Sequence, residues 1–447
     1  MNAKNFFVRK KSQRIIDAIS FTFMLPCLLA GQDQLTLEQA WSIALKNNYN
    51  VQQQEILIEK ARDEIVIQRT DYYPSLSTMG VLARANFDQF PINLPNASGK
   101  VGIDLLSLSV TQPIFTGLST KNLVASAQEN MIAQEIQKKI LQNTVLYEVG
   151  NLFYEIQSNL LQQKTLETSI DRLKNQMNHV YHLYLSEQAT PFDTLEISNR
   201  ILQTSNSLAT LGDGYLILQS NLTYLLNTEN LPPVKPLAVF DLNFILEEPD
   251  TYLTRAQQYR PELKHIAAQK NARTFYTDVL KARYYPQLSA SFAYNFMKLT
   301  GDIVTEEWTN FYSVLINFQW ELWNWKRDAK KVQQAKLDIQ NLDIQEKQTI
   351  EDIKHQITIA YQNLLSAAKK IILQKRLVDQ EKERFRITEN RYQQGLATFL
   401  DLNAAELDLT EAETELHKNY ITWYKNQLHL AFATGEIGKT VAEVTNE

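Results

Sequence analysis

The sequence repeats itself at long range, and no other feature constrains the fold as strongly. Tyr72-Tyr73-Pro74-Ser75-Leu76-Ser77 returns in the second half as Tyr284-Tyr285-Pro286-Gln287-Leu288-Ser289. Tyr184, Thr190 and Asp193 return, with their spacing kept, as Tyr392, Thr398 and Asp401. The chain is therefore two copies of one design, residues 31–228 and 251–434. They are joined by a connector, 229–250, that holds Pro232, Pro233, Pro236 and Pro249. Residues 435–447 form a tail.

Each copy has the same internal order. A helix is predicted from Leu37 to Thr70 and again from Tyr252 to Arg283, each stopped by the tyrosine pair and proline. Two segments of period 2 follow in each copy. In the third of the four, Leu288, Ala290, Phe292, Tyr294 and Phe296 oppose Ser289, Ser291, Ala293 and Asn295. In the fourth, Tyr312, Val314, Ile316, Phe318 and Trp320 oppose Ser313, Asn317, Gln319 and Glu321. The second sets Leu106, Leu108 and Val110 against Ser107, Ser109 and Thr111. The first, the weakest, is assigned an oily face of Met79, Val81, Ala83, Ala85 and Phe87 against Thr78, Arg84 and Asn86. After each strand pair the apolar spacing changes to three and four, through Val145, Val149, Leu152 and Ile156 and through Ile350, Ile353 and Ile357. Leu118 to Ser186 contains no proline, and Lys326 to Gln394 neither proline nor glycine. At 1.5 Å per residue each spans roughly 100 Å. Tight turns lead back into second helices, Pro191 to Asn227 and Thr398 to Thr434. The fold class is α+β, mainly α.

Composition narrows the function. The chain has only 12 glycines and 12 prolines in 447 residues, which favours long uninterrupted elements. A net charge of −5 without a basic block gives no footprint for nucleic acid. Lys4, Arg9, Lys10, Lys11 and Arg14 precede an apolar run, Ala18 to Ala30, which reads as a signal peptide over residues 1–30. The sole cysteine, Cys27, lies inside it. Pro26 beside it and the lack of a small-residue lipobox argue against lipidation. No stretch is long and apolar enough for a spanning helix.

The strands offer another way through a bilayer. About ten residues with one oily face suit a membrane barrel. Tyr72, Tyr73, Tyr284 and Tyr285 where strands one and three begin, with Phe115, Trp320, Trp323 and Trp325 where strands two and four end, would form an aromatic girdle. Phe87, Phe90, Trp308 and Phe311 would supply the other. Four strands cannot close alone, and open edges are not tolerated in lipid, so several chains must share one barrel.

The sequence resembles the TolC-like outer-membrane factors, the exit ducts of bacterial efflux pumps and type I secretion systems. The residues that carry the likeness are the opening Leu35 to Asn48, the Tyr-Tyr-Pro starts, Gln112-Pro113-Ile114-Phe115, and the tip Arg391 to Asp401. The resemblance implies a homotrimer in outer-membrane lipid, a 12-stranded barrel over a helical periplasmic tunnel. It also implies docking to a periplasmic adaptor protein and an inner-membrane transporter, proton-driven or ATP-driven. It places adaptor docking at the tip residues Tyr392, Gly395, Leu396 and Thr398, and a periplasmic gate at Asp401, with Asp193 beside it. Helix capping is the competing role for both aspartates. Copy one has Glu187 in place of the tip glycine and Pro191 just after Thr190, which argues against an equivalent turn there.

No catalytic, cofactor or metal site is read. Ala433 to Thr440 loosely matches a phosphate loop but follows a helix, and Gly435 fits a helix stop better. His179 and His182 share a helix face without a third ligand. A secreted coiled-coil scaffold or adhesin would explain the helices and leave the strands unexplained. A periplasmic adaptor would show one hairpin beside compact β domains.

Overall fold

The computed structural model describes residues 34–86, 100–237, 246–301 and 307–438. The leader, Phe87, Phe90 and most of the tail lie outside the described residues. Copy one runs α1 (Leu37–Asn47), α2 (Tyr49–Thr70), β1 (Ser75–Asn86), β2 (Lys100–Phe115), α3 (Ser119–Leu185) and α4 (Pro191–Leu226). Copy two runs α5 (Pro249–Tyr259), α6 (Pro261–Lys281), β3 (Gln287–Gly301), β4 (Trp308–Gln319), α7 (Arg327–Gln393) and α8 (Phe399–Thr434). A 3-10 turn, Ala282–Tyr284, links α6 to β3. The offset that carries Tyr184 onto Tyr392 also carries α3 and α4 onto α7 and α8, end to end. The long helices thus match the sequence reading to within a residue.

The first helix of each copy is two helices, which corrects the single span expected. Asn48 closes α1 with extended backbone and opens α2, its carboxamide oxygen accepting from the backbone N–H groups of Asn50 (2.9 Å) and Val51 (3.3 Å). In copy two Arg260 does the same job because the residue before Pro261 is forced out of the helical region. Its guanidinium is buried, lies over the Phe432 ring at 5.4 Å and donates to the Phe432 carbonyl at 3.2 Å. Burial outweighs the opposing charge of Glu262 and lowers its pKa.

The four strands form one antiparallel sheet in the order β1-β2-β3-β4. The register repeats as the sequence does: Ser75 pairs with Thr111, and Gln287 pairs with Gln319. Strand gives way to long helix through a left-handed elbow in each copy, Gly117-Leu118 and Trp325-Lys326. Gly117 is required sterically as well, since a Cβ there would stand 2.5 Å from the Ala282 carbonyl oxygen.

The helices bury two cores near the sheet-distal ends of α1 and α5. One gathers Trp41, Leu146, Val149, Phe153, Ile156 and Leu222, with the Trp41 Nε1 donating to the Leu146 carbonyl at 2.8 Å. The other gathers Ile357, Ala360, Leu364, Trp423 and Leu430. The connector is part of the first core, where Val234 forms a parallel bridge with Leu35. Gly435, at φ +77, ends α8, as the sequence suggested. No helix among the described residues is long and apolar enough to cross a membrane.

Candidate functional site: a two-faced sheet and the hairpin tips

Antiparallel partners share a face, so the register sorts every strand residue. One face carries Leu76, Leu108, Val110, Phe292, Val314 and Ile316, all exposed. The other is polar along its middle. Ser77 and Ser109 are bonded at 2.8 Å, and Ser107 donates to the Asn295 oxygen at 2.7 Å. The oily band ends away from the helices at Arg84, Asp104 and Lys298, cross-strand neighbours of which the first two form an ion pair. Trp308 pairs with Lys298 at that margin.

Two assignments change. In β1 the oily face is Leu76 and Leu82, because Met79, Val81 and Ala83 pair with Ser107, Leu105 and Ile103 on the other side. Phe311 pairs with Asn295 and so leaves the outer girdle proposed for it. At the helix-joined end, Tyr72, Tyr73, Phe115, Tyr284, Tyr285, Trp320, Trp323 and Trp325 are all exposed, and the Trp320 Nε1 donates to the Tyr284 carbonyl at 3.2 Å. They flank the strand starts and ends as the sequence places them.

At the opposite extreme, the two helical hairpins turn alike. Gly395 has φ +72, and Glu187 takes the same left-handed conformation at φ +63. Gln188 N–H reaches the Leu183 carbonyl, and Leu396 N–H the Arg391 carbonyl, each at 2.8 Å. The glycine is thus not needed for the turn, and the expectation that copy one differs here is corrected. Each following helix opens with a capping box. The Asp401 carboxylate accepts from the Thr398 N–H at 2.9 Å and hydroxyl at 2.6 Å, while Thr398 Oγ1 accepts from the Asp401 N–H at 3.2 Å. Asp193 and Thr190 repeat the arrangement at 2.8, 2.9 and 3.3 Å. The Thr398 hydroxyl, then its N–H and the charge of Arg391, hold the Asp401 carboxyl below its usual range.

The tips meet in a small core of Val180, Ile197, Tyr392, Phe399 and Leu402. Tyr392 is therefore buried, its ring 6.1 Å from Phe399 and 6.4 Å from His179. Burial raises its pKa, with the Asp193 charge adding to the effect. Leu396, Leu400 and Phe192 are instead exposed apolar residues of the tips, with Leu185 and Leu195 beside them. The sequence pattern does not single out Phe192 or Leu400, though they occupy the same place in the two copies.

The sequence matches the outer membrane efflux protein family over residues 40–228 and 252–436, most of the chain. The chain belongs to that family. Several solved structures share its fold. CusC, described in terms of folding and transmembrane channel formation, has a TM-score of 0.77 at 16% identity, over 90% of this chain and 92% of that one. VceC of Vibrio cholerae has a TM-score of 0.73 at 15% identity, covering 89% and 96%. The CmeC outer membrane channel of Campylobacter jejuni has a TM-score of 0.72 at 14% identity, covering 98% and 97%. No curated protein matches the sequence. This outer membrane efflux protein belongs to a family of efflux proteins rather than enzymes, and its place is the outer membrane.

One buried polar cluster was not legible in sequence. Glu406, fully buried on α8, accepts from Ser169 and Thr410 at 2.7 Å and pairs with Arg172 of α3 at 3.3 Å. Arg172 also holds Glu413 at 3.1 Å. Among the described residues Glu406 Oε2 has no hydrogen-bond partner. The cluster ties the two hairpins of a chain together a few helical turns from the tips.

Proposed function

We propose that three copies of this outer membrane efflux protein close a twelve-stranded barrel in outer-membrane lipid, and that their hairpins continue it as a periplasmic tunnel. The observation that carries this reading is a sheet with one oily face whose edges, β1 and β4, have no strand partner among the described residues, and lipid does not tolerate open edges. The internal repeat supplies the closing register. Carrying β2 forward onto β4 and β3 back onto β1 by the offsets of the repeat turns the β2–β3 pairing into a pairing between chains. It sets Ile316 of one chain beside Leu82 of the next and Phe318 beside Gly80. An aromatic over a strand glycine is a favourable partner.

Function then follows from shape. The serine and asparagine face lines a wet barrel, the hairpins extend the duct, and solute moves passively. Energy comes from an inner-membrane transporter, proton-driven or ATP-driven, reached through a periplasmic adaptor as part of a tripartite efflux pump or type I secretion system. Docking falls to the tip around Gly395, Leu396 and Thr398, joined by Leu400 and Phe192. Tyr392 supports that surface from below. Asp401 and Asp193 cap their helices and also place rings of carboxylates at the narrow end, a cation-selective gate. Single-channel recording in a planar bilayer tests this. The isolated protein conducts, prefers cations and is blocked by multivalent cations from the tip side; a purified oligomer that never conducts would refute the duct.

A further inference from the structure

The repeat gives the sheet two elbows of one shape and unlike chemistry. Gly117-Leu118 and Trp325-Lys326 occupy the same place in the two copies and share a left-handed backbone, with φ of +64 and +69 in the first and +53 and +64 in the second. The offset that carries α3 onto α7 turns Gln112, Phe115 and Gly117 into Trp320, Trp323 and Trp325. It turns Leu118, Ser119, Asn122 and Leu123 into Lys326, Arg327, Lys330 and Lys331. The turn itself needs none of these changes, since copy one makes it without them. Glycine takes a left-handed backbone freely and tryptophan does not, so Trp325 is held in a conformation that disfavours it. Packing inside the chain does not account for that. Trp325 is 85% exposed and Trp323 69%, and the two rings meet edge to face at 5.8 Å. The charges of this elbow are one-sided as well. Both Glu321 oxygens accept from Arg327 Nη2 at 2.7 Å, and the buried Asp328 lies 3.8 Å from Arg283. Among the described residues no acid pairs with Lys326, Lys330 or Lys331, and Lys330 donates to the Gln333 carboxamide oxygen at 2.9 Å.

We propose that the second elbow is a binding site for one anionic phospholipid, of the phosphatidylglycerol class, from the leaflet on the helix-joined side. The inference rests on the reading of the sheet as part of an outer-membrane barrel. Trp320 continues the alternation of Ile316 and Phe318, so the tryptophans extend the lipid-facing band at the margin where headgroups lie. Acyl chains run along Phe318 and Ile316, the Trp323 and Trp325 rings sit at the level of the glycerol, and Lys326, Lys330 and Lys331 meet the phosphate. A zwitterionic lipid would serve the tryptophans and leave the lysines without a net charge to answer them. An anionic lipid serves both. The Gly117 elbow has neither the tryptophans nor the cluster of cations, so a barrel of three chains carries one such site per chain. Bound there, the lipid pins the junction of sheet and long helices to the membrane surface.

The detergent-extracted full chain, mixed with equal amounts of phosphatidylglycerol and phosphatidylethanolamine and analysed by native mass spectrometry, tests the site. The unsubstituted protein should retain phosphatidylglycerol in preference, up to one per chain. A lysine beside an anionic lipid surface is worth roughly fivefold in affinity, so Lys326→Gln with Lys330→Gln and Lys331→Gln should lower phosphatidylglycerol retention by about tenfold or more and leave phosphatidylethanolamine retention unchanged. Lys121→Gln, at the other elbow, should change neither. Trp325→Gly restores the residue of copy one; it should lower retention of both lipids and leave oligomer yield at or above the unsubstituted level. Equal retention of the two lipids by the unsubstituted oligomer, or an unchanged preference in the triple lysine variant, would overturn the site and leave the shared barrel standing. A protein that leaves salt-washed membranes only as a monomer with its full sheet would overturn the shared barrel, and its lipid preference would be read from the same spectra.

Discussion

Phe292→Arg and Ala293→Arg differ by one position and by the whole membrane. Phe292 sits midway along the oily face of β3 between Val110 and Val314, and Ala293 lies on the opposite face between Ser109 and Ser313. An arginine facing lipid at mid-bilayer costs about 2–4 kcal/mol, or roughly 30- to 1,000-fold in the folding equilibrium of one chain. In a barrel of three chains the cost is about 6–12 kcal/mol. That is comparable with the entire stability of an ordinary domain, about 5–15 kcal/mol. At Ala293 the guanidinium faces water and serine hydroxyls, and the cost should fall to about 0.5 kcal/mol or less, as for an ordinary surface change. The assay is the amount of detergent-extractable oligomer in salt-washed outer membrane. Phe292→Arg should remove nearly all of it and Ala293→Arg should leave it near the unsubstituted level. Equal losses, or a larger loss at Ala293, would show that the faces are reversed.

The reassigned faces of β1 make a companion case: Leu82→Asp should lower oligomer yield while Val81→Asp leaves it unchanged. Arg172→Leu strands the buried Glu406 and should destabilise the hairpins by about 3–5 kcal/mol, whereas Arg172→Met with Glu406→Leu should be neutral or stabilising in thermal melts. Glu187→Gly relieves a left-handed non-glycine residue and should stabilise by about 1 kcal/mol; Gly395→Val should destabilise by at least that much and reduce export without reducing insertion. Because the pKa of Asp401 is lowered on folding, its capping contribution is complete above the unfolded value near 4 and is lost as pH falls through the lower folded value. Asp401→Asn with Asp193→Asn should abolish cation selectivity at neutral pH in bilayer recordings.

The long helices were legible because composition and period agree over many turns, and the repeat tied one copy to the other. Strand faces were harder. In β1 the oily side includes Thr78, Gly80 and Arg84, so Met79, Val81 and Ala83 make the cleaner alternation. Only cross-strand register, fixed by bonds such as Ser77 to Ser109, decides between them. Asn48 and Pro261 did carry the helix breaks in sequence, as cap and stop, but the apolar spacing ran through both. Glu187 shows tertiary structure overriding propensity: the shared tip core fixes the turn, and glutamate accepts a conformation that glycine would take freely. The burial of Tyr392 and Glu406 depends on helices contributed by the other copy of the repeat and has no local signature.

In the proposed assembly one chain holds a third of a barrel. Native mass measurement of the detergent-extracted protein, with the detergent contribution removed, tests it most directly. The extracted protein should have three times the protomer mass, with the full β-sheet signal present only in that species. A stable monomer with the same sheet content would contradict it.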